Sequence, residues 1–153
     1  MRDNFQSHGE IESTYEFEFD GVYIMQTLKQ KSFTTTSLLS IFALCFLLVI
    51  IRWINVFNED VYVISVAINY HITNFTLSLM MCTLIGYLLL LAGKKYVSTI
   101  MVGILLIVVN FIYEIFLPVL NTTDIIDALY GLVGVVISLV YLYFIDKYGF
   151  IRE

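Results

Sequence analysis

The chain has 153 residues, 59% hydrophobic and 14% charged, with a formal charge of −5. Its apolar residues come in runs, several near or above the roughly 20 residues that cross a bilayer, which excludes an ordinary soluble domain and gives an α-helical integral membrane protein. No basic face exists to neutralise phosphates, so nucleic acid is not an expected partner.

Residues 1–33 form an acidic arm that does not span the membrane; six of the thirteen acids lie in the first twenty residues. Met1 to Thr14 reads as polar and loose. From Tyr15 the pattern alternates, with Tyr15, Phe17 and Phe19 on one side and Glu16, Glu18 and Asp20 on the other. That period of two suggests a half-buried strand. Asp20-Gly21 is a turn signal, and Val22-Tyr23-Ile24 returns, giving a candidate hairpin over 15–24. The alternative is a short irregular arm. A lone hairpin is marginal in water, so it needs the membrane surface, a second subunit or another protein to cover its aromatic side. The polar arm ahead of the first apolar run does not read as a signal peptide.

Four spans follow, at about 34–56, 71–92, 97–117 and 125–145, and a short polar tail at 146–153 closes the chain. In the first span Ser37 and Ser40 can bond back to their own helix, and Arg52 and Trp53 mark the far interface. Residues 61–70 fit either a surface segment or an extension of the second helix. On that helix His71, Asn74, Ser78 and Cys82 are spaced by three, four and four, so they share one small, polar face that turns toward other helices. Cys45 and Cys82 both sit inside apolar runs and read as small packing residues; a disulfide framework or thiolate centre would need more cysteines. Gly93-Lys94-Lys95 ends the second helix with a basic loop.

In the third span Asn110 and Glu114 are four apart and share a face, and Pro118 stops the helix. Thr123 or Asp124 caps the fourth span, and with Asp124 as the cap Asp127 can reach back to the free amides. Asp127, Gly131, Gly134 and Ser138 then recur at steps of four, three and four, and the glycines let a second backbone approach closely. The short-loop cations Lys29, Lys31, Lys94, Lys95, Lys147 and Arg152 fall on one side, and Arg52 alone on the other. The positive-inside rule places both termini and the 93–95 loop in the cytoplasm, and His71, Glu114 and Asp127 near the outer leaflet.

The order Tyr113-Glu114-Ile115-Phe116-Leu117-Pro118, then Asn121 to Asp127, then Gly131-Leu132-Val133-Gly134 resembles the carboxyl-terminal half of the VanZ-like family of small bacterial four-helix membrane proteins. Asn69 to Phe75 is similar to that family's histidine segment, and the resemblance covers about 65–145. The family's glutamine after the glutamate and its outer-turn arginine are absent here, and Gly131 stands where an asparagine is usual. The resemblance implies a bacterial cytoplasmic (inner) membrane protein with a role in the envelope or in antibiotic resistance.

A carboxylate in hydrocarbon needs a partner, a watery cavity or a proton. His71, Asn110, Glu114, Asp124 and Asp127 are therefore the candidate ligand- or ion-binding residues, with Glu114 and Asp127 expected to approach one another across the third and fourth spans. The structural alternative has Asp127 capping its helix, Glu114 bonded to Asn110 or Tyr113, and His71 at the interface. Asn74, Ser78, Cys82, Gly131, Gly134 and Ser138 are the helix-packing set. No serine or cysteine stands beside a histidine in nucleophile spacing and no histidine-rich metal motif occurs, so catalysis ranks below binding, with acid–base action of the cluster on a lipid-linked substrate as the lesser alternative, and no cofactor is expected. The expected function is a non-enzymatic membrane component that binds a ligand, an ion or a lipid-linked envelope molecule near the outer leaflet, with membrane lipids around it. One alternative is a subunit of a stress or defence assembly that docks a cytoplasmic protein through 15–24. Another is a homo-oligomeric channel or transporter lined by Asn74, Ser78 and Cys82.

Overall fold

The computed structural model describes residues 11–19, 22–57, 65–116 and 124–151. Four helices make up most of it: α1 Ser32–Phe57, α2 Val66–Leu91, α3 Tyr96–Phe116 and α4 Ile125–Tyr148. Each is long and apolar enough to cross a membrane. Their outward side chains reinforce that reading. Leu39, Phe46 and Trp53 on α1 and Met101 and Leu105 on α3 are each more than 60% exposed in the isolated chain. An apolar surface of this extent is stable against lipid and not against water. The molecule is a four-helix, multi-pass membrane protein.

A small antiparallel sheet lies at one end of the bundle. Strands β1 (Ile11–Phe19) and β2 (Val22–Gln30) pair from Ile11↔Gln30 to Phe19↔Val22. The hairpin is thus longer than the alternating stretch suggested, and residues 11–14 belong to a strand rather than a loose arm. The expected turn at 20–21 and residues 1–10 lie outside the described residues. The tail also differs from expectation. α4 runs on to Tyr148, and Phe150–Ile151 forms β3, which pairs with β2 through Lys29↔Ile151 and Gln30↔Phe150. The apolar Phe150 explains the difference: it is buried with Tyr87, Leu90, Leu142 and Ile145, flanked by Leu38, Tyr96 and Tyr141. A tail with that anchor does not stay in solvent.

Because four spans bring the chain back to its starting side, both ends of the bundle's chain meet at this sheet. Gly149 is the junction. Its carbonyl accepts from the Lys31 amide at 3.1 Å and from Thr34 Oγ1 at 2.9 Å. The Gly93 loop lies at the same end. Gly93 takes φ 68°, a left-handed value that suits glycine, and amides 92–94 return to carbonyls of the last turn of α2, which stops the helix.

α2 starts at Val66 and so takes in the later part of the 61–70 segment; residues 58–64 lie outside the described residues. α2 and α4 form the central pair. α4 buries Ala128, Gly131, Gly134, Val135, Ser138, Leu142 and Ile145, a helical stripe whose upper part is the small-residue series. A Cβ on Gly134 would stand 2.4 Å from the Phe75 carbonyl oxygen of α2, so the two backbones touch there and no larger residue fits without a shift. α1 is peripheral. Its buried residues are Thr34, Cys45 and Asn55, a single seam about three turns apart. Cys45 and Cys82 are both free and buried, in keeping with packing roles.

Candidate functional site

The apolar cluster around Phe150 lies at the sheet end, and polar pairs line the bundle toward the other end. Along the α2 face the polar residues pair in tiers with α3 and α4. Deepest toward the sheet end, Thr83 Oγ1 and Ser138 Oγ lie 2.9 Å apart, both fully buried. Next, Asn110 Nδ2 of α3 donates to Ser78 Oγ at 2.7 Å. This bond needs Gly131, because a Cβ there would fall 2.4 Å from Asn110 Nδ2 and 3.0 Å from Ser78 Oγ. The third tier is Asn74 Nδ2 donating to Glu114 Oε1 at 3.0 Å, with Glu114 only 4% exposed. The last is His71, whose Nδ1 lies 2.8 Å from Asp127 Oδ1 and 3.7 Å from Asp124 Oδ2.

Each group is placed by simple local rules. His71, Asn74 and Ser78 share a helix face by spacing. Asp124 is the N-cap of α4: its carboxylate accepts from the Ile126 amide at 2.9 Å, and its own carbonyl accepts from the Asp127 amide at 3.2 Å. Capping fixes the Asp124 carboxylate at the helix mouth, and one turn later Asp127 points the same way. The helix N-terminus favours both charges. Asp127 was also expected to reach back to the free amides; its carboxylate instead meets His71.

Asp127 and Glu114 each take a residue of α2, His71 and Asn74, one turn apart. Among the described residues, the grouping that could hold a metal ion is His71, Asp124 and Asp127, with one donor atom from each lying within 4.8 Å of the others. Their side chains are 15%, 35% and 18% exposed, sheltered but reachable. Asn110 is bonded to Ser78, one tier below Glu114. Asn74 belongs to the polar tiers as the partner of Glu114 and is more than a packing residue.

Sequence reasoning missed three features. Tyr130 places its ring 5.2 Å from that of His71, tilted by 36°; its step of three from Asp127 was a usable signal. Thr83, next to Cys82 in the chain, meets Ser138. Arg52, read as an interface anchor, donates to Thr73 Oγ1, and beside it Asn55 Nδ2 donates to Asn69 Oδ1 at 3.5 Å. Those two contacts tie α1 to α2 at the polar end.

Comparison with protein-family models, with curated proteins and with solved structures gives no match for this chain.

Proposed function

We propose that this protein is a non-enzymatic component of a bacterial cytoplasmic membrane that holds a divalent cation near the outer leaflet, at His71, Asp124 and Asp127. The observation that carries the reading is the convergence of one imidazole nitrogen and two carboxylate oxygens, from two helices, within 4.8 Å. Mixed nitrogen and oxygen donors suit a transition cation such as Mn2+ or Zn2+. Such an ion takes the place of the His71–Asp127 hydrogen bond and neutralises two acids that are otherwise set at the edge of hydrocarbon. The lysines of the short loops support the outer-leaflet side by the positive-inside rule. The motif order of the turn region supports a VanZ-like assignment, and with it a role in the envelope or in antibiotic resistance.

Titration of the purified protein with Mn2+, followed by loss of the free-ion electron paramagnetic resonance signal, tests this reading. One equivalent is expected to bind. His71→Ala and Asp127→Asn abolish binding. Asp124→Asn weakens it while leaving the helix cap in place, since asparagine caps as well as aspartate. Wild-type protein that binds no more Mn2+ than the His71→Ala, Asp127→Asn double variant would exclude the site.

A further inference from the structure

Beside the cluster, on the lipid-facing side of the α2–α4 pair, runs a groove of about 470 Å3. Ile68, Ile72 and Phe75 form one wall, and Leu129, Tyr130 and Val133 the other. The groove and the cluster share residues and neighbours. Tyr130 lines the groove and faces the His71 ring. Ile72 follows His71 in the chain, and Ile126, also in the lining, precedes Asp127. A chain lying in this groove therefore has its polar end at the cluster.

We propose that a phospholipid occupies the groove with one acyl chain and places its phosphate in an open position of the cation at His71, Asp124 and Asp127. The inference rests on the cation reading above. Three protein donors leave a divalent cation short of its usual number of ligands, about six for a hard octahedral ion, and such ions are commonly held by one or two carboxylates together with a phosphate. Two aspartates alone repel a phosphate. The cation cancels that charge and offers the phosphate a coordination position, so lipid capture depends on metal. The apolar lining gives the lipid its second point of attachment and separates it from soluble phosphate.

The test uses full-length protein in a maltoside detergent, which contains no phosphorus. Mn2+ binding is measured first; its absence overturns the cation reading before any lipid is added. One equivalent of phosphatidylglycerol is then supplied, and phosphorus coupling to the bound Mn2+ is read by electron–nuclear double resonance. Coupling is expected in wild type. It is expected to be lost in Leu129→Trp, which fills the groove from a position 48% exposed and leaves the three ligands in place. Mn2+ bound without phosphorus coupling overturns the lipid inference alone. So does coupling that persists in Leu129→Trp, or inorganic phosphate that gives the same coupling in both proteins, since either makes the groove irrelevant. Phosphatidylglycerol retained equally after chelation, measured by native mass spectrometry, also overturns it, because the lipid is then held without the cation.

Discussion

α2 and α1 are equally long, and α1 is the more hydrophobic, yet they have opposite relations to the rest of the molecule. Of its most apolar window, α2 buries 44% against protein and α1 only 6%; α4 and α3 divide the same way, at 39% and 11%. In lipid an apolar side chain gains little by exchanging acyl chains for another helix, so association depends on close backbone approach and on interhelical hydrogen bonds. α2 and α4 carry both: Gly134 against the Phe75 carbonyl, Thr83 with Ser138, His71 with Asp127. α1 carries its polar contacts near its two ends, at Thr34 and Ser37 and at Arg52 and Asn55. Hydrophobicity decides that a helix enters the membrane; small and polar residues decide which helices become its core.

The contrast can be broken most directly at Gly134. Gly134→Leu forces a side chain into the α2 backbone, and the central pair is expected to separate, with loss of folded protein on size exclusion. Gly134→Ala is the graded version, at about 1–3 kcal/mol for an overpacked contact. Next comes the Glu114 tier. Glu114→Leu removes the acceptor from Asn74 and is expected to cost about 1–3 kcal/mol, the range for a buried polar group left unpaired. Glu114→Gln keeps an oxygen there and is expected to be far milder, as read by thermal unfolding in detergent. Equal losses for the two variants would show that the charge, not the acceptor, matters. Thr83→Val keeps the volume and removes the bond to Ser138; about 0.6 kcal/mol is expected, the average for such bonds between membrane helices. Smallest of all is a change on the outer face of α1. Leu44→Val or Phe46→Leu swaps one lipid-facing residue for another and is expected to leave the unfolding temperature unchanged. A large drop would mean that α1 packs against something in that region.

These differences also explain what could be read from residues alone. The spans were legible because apolar runs are continuous, and the polar face of α2 and the glycine series of α4 because spacing along a helix fixes the face. Pairing was not legible to the same degree. Which α2 residue each acid meets was not legible: Glu114 takes Asn74 and Asp127 takes His71, one turn apart on α2. That depends on how far α2 slides along α3 and α4, which no local pattern encodes. The same holds for β3, a two-residue strand whose partner β2 lies more than a hundred residues earlier, and for Arg52, whose snorkelling stem reads alike whether it ends in solvent or on Thr73.

The junction at Gly149 has a consequence in time. Thr34 lies 115 residues before the carbonyl that its hydroxyl meets, so α1 is made and inserted long before that end of it can be fastened. During synthesis it must live in lipid by itself, and its mean hydropathy of 2.5, the highest of the four, equips it to do so. Assembly of the described chain then finishes where it started, when the last strand emerges and joins β2. A chain cut short before Gly149 is therefore expected to insert all four helices and leave the Thr34 end of the first one loosely attached.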